Sequence, residues 1–282
     1  MVLPGRLGGR VGRRRTLFEG QKSRPRSGRL FWFASLARST GGDDRYAEAV
    51  PKALRPRASS KGRTRAPASR TAALPREVVG EIRQTARVGQ ADAAIGRLER
   101  AVELLERGDP HGAASEAAKS KAMAPRSAAV REVYGLALYG QERYREALTE
   151  MQAYRRMTGR ADQNHIIADC QRALGHPERA VPLAEEALTA PRVPLSAKAE
   201  AVVVAASALA DMKRFDQALG LLRRVKTRDD VAGPEVLRVW YVTADVLERA
   251  GRADEAVREF RKIMRHDAAA FDVAERVAQL GG

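Results

Sequence analysis

Residues 128–160 read AAVREVYGLALYGQERYREALTEMQAYRRMTGR, and two small residues twelve positions apart, Gly135 and Ala147, bracket the turn Gln141-Glu142-Arg143-Tyr144. Leu138 closes the segment before the turn, and Leu148 follows the small residue after it. A small side chain on each of two helices lets their backbones approach closely, while larger neighbours one turn away fill the flanks. The stretch therefore reads as a helical hairpin with Gly135 and Ala147 at the crossing.

The same frame recurs outward in both directions. Ala101/Ala113, Ala168/Ala180, Ala206/Ala218 and Ala244/Ala256 are again twelve apart, and the second members of the five pairs are spaced by 34, 33, 38 and 38 residues. The two longer spacings coincide with longer joints, Thr189 to Leu195 and Lys226 to Gly233. Asp109-Pro110 is an N-cap followed by proline at the first helical position, and Pro177 and Pro234 fit the same start signal. Gly108, Gly175 and Gly251 suit left-handed helix ends. A repeat at this period is the signature of a solenoid whose units stack to bury a shared core. The fold class expected is all-α: a right-handed helical-hairpin solenoid of about five repeats. They lie near 94–127, 128–160, 161–194, 199–232 and 237–268 within a domain at 76–282. A helix near 76–88 and a capping helix at 269–280 close the two ends.

The pattern resembles the tetratricopeptide repeat (TPR), carried by Tyr134-Gly135…Tyr144-Arg145-Glu146-Ala147-Leu148…Met151 and by 237–268, where Trp240 stands near the start of the first helix and Phe260 lies in the second. The resemblance covers about 190 residues. Arg97, Arg131 and Asn164 depart from it, standing where a large apolar residue is usual, and Gln171 replaces a leucine-like residue. It implies that the first helix of each repeat lines a concave groove. Carried over position by position, that groove holds Glu132, Leu136 and Tyr139; Asp162, His165, Asp169 and Arg172; Glu200, Val203, Ser207 and Asp211; and Arg238, Tyr241, Asp245, Glu248 and Arg249. Seven of these are acidic and three basic. The family's clamp for acidic C-termini uses Lys, Asn and Arg at sites that here carry Glu132, Leu136 and Asp162.

Composition narrows the classes further. The chain has 282 residues, 44% of them hydrophobic but only 5% aromatic, so its core is packed mostly with Ala, Leu and Val. A single cysteine, Cys170, excludes an intramolecular disulfide framework and a multi-thiolate zinc site. The apolar run Leu30 to Ala37 falls far short of the ~20 residues that span a bilayer. The net charge of +16 is concentrated at one end. Residues 1–70 carry 18 basic and 4 acidic side chains, the rest 33 and 31. That Arg/Gly/Pro/Ser-rich stretch shows no sustained period and reads as a disordered basic tail. Arg14-Arg15-Thr16-Leu17-Phe18 resembles a twin-arginine export signal but is followed by hydrophilic residues, so the expected compartment is the cytoplasm.

Catalytic chemistry is hard to assemble. Gly5, Gly8, Gly9 and Gly12 neither follow a strand nor open a helix, so they make no phosphate loop. His165 and Asp169 stand at i, i+4 with Cys170 adjoining, but a metal site needs further ligands and a nucleophile needs a base within reach. No catalytic residue, metal or cofactor is therefore expected. Cys170 reads as a small hydrophobe, and His165 and Asp169 as facing solvent or a ligand.

The function expected is a non-catalytic adaptor that binds a protein or peptide, basic segments included, in a mildly acidic groove with Tyr139 and Tyr241 as anchors. The rival is nucleic-acid binding through the tail. The tail's charge further suggests that it is attracted to the acidic groove.

Overall fold

The computed structural model describes residues 73–225, 227 and 232–281. The basic segment 1–70, with the disorder, nucleic-acid and groove contacts expected of it, lies outside them. The described residues form twelve α-helices and no strand: α1 (Arg76–Thr85), α2 (Ala91–Glu106), α3 (Pro110–Met123), α4 (Ala128–Gly140), α5 (Tyr144–Thr158), α6 (Asn164–Ala173), α7 (Ala180–Thr189), α8 (Leu195–Asp211), α9 (Phe215–Leu222), α10 (Pro234–Arg249), α11 (Ala253–His266) and α12 (Val273–Gln279). Helices α2 to α11 pair as five successive hairpins, each packed on the next. The fold is an all-α solenoid of about five repeats.

One turn geometry joins every hairpin. Seven residues after the first small residue the backbone turns left-handed, at Gly108, Glu142, Gly175, Lys213 and Gly251, with φ between 60° and 87°. The next residue's N–H reaches back five positions, from Asp109 to Leu104, Arg143 to Leu138, His176 to Gln171, Arg214 to Leu209 and Arg252 to Leu247, at 2.8–3.0 Å. The left-handed residue itself donates to the carbonyl three before it. Both bonds satisfy carbonyls that a helix end leaves open, the Schellman arrangement. Gln171 holds this place as well as leucine does because the backbone makes the bond.

At the crossings, Ala101, Ala113, Ala147, Ala168, Ala180, Ala206, Ala218, Ala244 and Ala256 are wholly buried. A side-chain carbon on Gly135 would stand 2.9 Å from the end of Met151 and 3.3 Å from Cβ of Glu150, so glycine sets the approach of α4 to α5.

The departures from the repeat pattern have a common structural answer. Arg97 donates to Glu116 at 2.8 Å and Arg131 to Glu150 at 2.7 Å, each nineteen residues on. Asn164, at the same place in the third repeat, donates to the carbonyl of Leu183 at 3.0 Å, again nineteen residues on. In the last two repeats the position is apolar. Val202 and Leu221 share one core, and Trp240 is buried with the Lys262 ammonium 4.1 Å from its ring centre.

The ends differ in detail from expectation. Helix α1 stops at Thr85 because Ala86 is extended and Arg87 donates to the Met123 carbonyl at 2.9 Å. Pro177 opens a 3₁₀ turn rather than an α-helix, and α7 begins at Ala180. The last helix starts at Val273, since Asp267 ties up the amides of Ala269 and Ala270 in a turn. Asp109 caps α3 as expected, accepting from the Gly112 amide at 2.9 Å. The start of α4 is capped twice: by Ser127, and across the structure by the Glu81 carboxylate of α1, which takes the amides of Ala128 and Ala129.

Candidate partner-binding face

The first helices of the repeats, α4, α6, α8 and α10, bring a run of polar side chains into one connected ladder. The Tyr139 hydroxyl donates to Asp169. Asp169 accepts from Arg172 at 3.0 Å, and Arg172 reaches on to Asp211 at 2.9 Å. The other oxygen of Asp211 accepts from Arg249 at 2.8 Å. Arg249 lies 3.6 Å from Asp245, which accepts from Arg276 of α12 at 3.1 Å. Arg276 also binds Glu248 at 2.6 Å. Beside it, Tyr241 donates to Asp272 at 2.8 Å, and its ring packs against Phe260 and Phe271.

The ladder spans the last four repeats, and its signs alternate. Burial works against the charge on Arg172, but Asp169 and Asp211 more than offset it and hold its pKa above the ordinary range. Arg276 is held up in the same way by Glu248 and Asp245. Asp211 is the most open member, with a third of its side chain exposed, while Arg172, Tyr241, Asp245 and Glu248 are half-buried. Ser207 is half-buried too, its hydroxyl turned back to the Val203 carbonyl.

A second group of the sequence-derived residues is buried beneath that face. Glu132, Leu136, Asp162, His165 and Asp169 are each at most 5% exposed. Gln163 donates to Glu132 at 2.6 Å. Asp162 accepts from the Tyr154 hydroxyl at 3.1 Å and pairs with Arg160 at 2.5 Å. Burial, reinforced by the nearby Asp162, pushes the Glu132 carboxyl up to about 7 although the Gln163 bond opposes it. Burial also takes His165 down to about 3, against the Asp162 carbonyl that favours its charged form. Glu200, raised by burial, is paired with Arg238 at 2.9 Å. His165 and Asp169 therefore do not face solvent: α8 packs against the helix that carries them.

The count of seven acidic against three basic residues misses two more cations. Arg276 and Arg160 both enter from outside the first helices of the repeats. The only sequence signal for α12 joining the ladder is the 31-residue step from Tyr241 to Asp272, which matches the 30-residue step from Tyr139 to Asp169. Among the described residues no group of three His, Cys, Asp or Glu side chains is gathered to hold a metal ion, and no helix is long and apolar enough to cross a membrane. Cys170 is buried in the apolar core.

Residues 166–271 match the family model of the tetratricopeptide repeat. No curated protein matches the chain. Among solved structures, a thermophilic TPR protein of Thermus thermophilus superposes with a TM-score of 0.54 at 16% identity, over 66% of this chain and 98% of that one. YrrB, a TPR protein with an unusual peptide-binding site, gives 0.46 at 18% identity over 66% of this chain and 92% of that one. With five small-residue crossings, five left-handed turns in one register and the family match over residues 166–271, the described residues build a tetratricopeptide-repeat solenoid.

Proposed function

We propose that the solenoid is a non-catalytic adaptor that holds a protein or peptide segment against the face of its first helices. The observation that carries this reading is the fork at Asp211, whose two oxygens are taken by Arg172 and Arg249 at the open centre of the ladder. A guanidinium has five N–H donors in a fixed plane, so both arginines keep donors to spare after these bonds. Both oxygens of Asp169 and of Asp211 are already engaged. The face therefore suits a segment that brings acceptors, main-chain carbonyls or carboxylates, better than the basic partner that a count of acidic residues suggests. The half-buried Tyr139 and Tyr241 flank the fork as rigid aromatic anchors.

The reading is tested by selecting random twelve-residue peptides on the full-length protein and measuring the selected peptides by fluorescence anisotropy. Enrichment in Asp and Glu is expected, with at least a tenfold weaker Kd on Arg172→Ala/Arg249→Ala. No enrichment, or peptides indifferent to both arginines, overturns it. A second reading, phosphate binding through residues 1–70, is favoured by their 18 basic side chains against 4 acidic.

A further inference from the structure

Helix α11 carries a basic stripe that the adaptor reading does not use. Its second half reads Arg258-Glu259-Phe260-Arg261-Lys262-Ile263-Met264-Arg265-His266. Arg258, Arg261 and Arg265 follow one another at i, i+3 and i+7, which places them on one side of the helix. All three are exposed or half-exposed, whereas Phe260 and Ile263 between them are buried in the core. Among the described residues no carboxylate pairs with any of the three, although most arginines of the first-helix face are paired. Of the two acids one turn before Arg258, Glu255 is already held by Arg252 at 2.6 and 2.7 Å, and Asp254 makes no ion pair with it. Arg223, at the end of α9, also acts on Glu255 and so extends the positive field toward the neighbouring repeat. Lys262 flanks the stripe with its ammonium over Trp240.

The bland explanation covers only part of this. Cations in a last helical turn complement the helix dipole, which accounts for Arg265 and His266. It does not account for Arg258 and Arg261 in the body of the helix.

We propose that this side of α11 is a phosphate-binding surface for a nucleic-acid strand. At 1.5 Å of rise per residue the three arginines span about 10 Å of helix. That is the length of roughly three phosphates of one duplex strand at 3.4 Å each. Arginine matches a phosphate with two parallel N–H donors, and here none of the three is engaged in an ion pair. A lipid surface fits less well, because the exposed side of α11 presents no large apolar residue to insert and its apolar side chains are committed to the core. The surface shares no residue with the first-helix ladder, so either assignment stands or falls without the other.

The test uses the full-length protein and a fluorescently labelled 20-base-pair duplex, with affinity measured by anisotropy from 50 to 300 mM salt. Each phosphate contact contributes about 0.9 to the slope of log K against log salt. Arg258→Gln/Arg261→Gln/Arg265→Gln is expected to flatten that slope by nearly 3 and to weaken binding at least tenfold at 100 mM salt. The control, Arg126→Gln/Arg145→Gln/Arg156→Gln, removes the same charge from arginines elsewhere and should leave slope and affinity within a factor of two. Circular dichroism checks that both variants keep their helices. An unchanged slope in the α11 variant, or an equal loss in the control, overturns the proposal. So does dependence on the three arginines that appears only with phosphatidylserine vesicles and not with the duplex.

Discussion

The repeats at 94–160 and those at 199–268 share a turn, a spacing and a small-residue crossing, yet they fill the same position with opposite chemistry. In the first pair, Arg97 and Arg131 reach Glu116 and Glu150; in the second, Val202 meets an apolar core and Trp240 is buried. The third repeat sits between them, with Asn164 bonded to a backbone carbonyl. The crossing and the left-handed turn fix the hairpin, so the wedge beside them is free to vary as long as the side chains it meets complement it. What changes is the source of stability. An ion pair that is partly desolvated adds little over an apolar pair of equal volume, but losing one member of it is costly. An aromatic wedge contributes through buried area.

Trp240→Ala should therefore have the largest effect, destabilising by about 3–5 kcal/mol as a large-to-small core change. Hydrogen exchange should show protection lost first in α10 to α12 while α2 to α5 keep theirs. Uniform loss would mean that the two halves unfold as one unit.

Glu150→Ala should cost about 2–4 kcal/mol in urea denaturation. It takes away the buried carboxylate that Arg131 and Lys121 both bind, leaving Arg131 the Pro125 carbonyl and Lys121 the Tyr134 ring. The double change Arg131→Leu/Glu150→Leu gives the second repeat the apolar wedge of the later ones. It should lie within about 1 kcal/mol of the parent. A double variant as unstable as Glu150→Ala would show that the two halves do not tolerate the same wedge.

The charged half should also respond to pH. The Glu132 carboxyl is raised from about 4.5 to about 7 on folding, so the folded state binds the proton more tightly than the unfolded one. Its contribution is fully present below pH 4.5 and is lost as pH rises through 7, by up to about 3 kcal/mol. His165, lowered to about 3, acts the other way: its contribution is present above pH 6.5 and fades as pH falls toward 3. The two oppose each other between pH 4.5 and 6.5; above 6.5 the His165 contribution is complete and the fall due to Glu132 remains. Glu132→Gln should abolish the fall of stability across that upper window, read as the urea midpoint at each pH. A slope that survives the substitution would assign it elsewhere.

Ala147→Leu and Ala218→Leu probe what the halves have in common. Each should cost about 1–3 kcal/mol by overpacking a wholly buried crossing. A clear difference between them would show that the crossings are not equivalent. Smallest of all, Lys213→Gly should stabilise by about 0.5–1 kcal/mol, because a lysine at φ 60° is strained where Gly108, Gly175 and Gly251 are not. The thermal midpoint should rise slightly; a fall would mean that the lysine side chain holds the turn.

Much of this architecture was readable in the chain, because the turn and the crossing are local. Gly135 and Ala147, the twelve-residue step, and the helix-start signals at Asp109 and Pro234 each act within one hairpin, so residue spacing is enough to place them. The groove residues were found only as a set. Spacing put Asp169, Arg172, Asp211, Asp245 and Glu248 on the first helices, but not which of them pair, nor that Glu132, Asp162 and His165 would be covered.

By itself, then, the sequence determined the helices, the hairpins, their repeat and the position of the basic residues along the chain. Tertiary structure alone decided that Arg131 finds Glu150, that Glu81 caps a helix nearly fifty residues away, and that Arg276 from the end of the chain completes the ladder. The physical reason is range. Backbone geometry is fixed by neighbours a few residues apart, whereas the burial and pairing of a charge depend on side chains that meet only when one repeat stacks on the next.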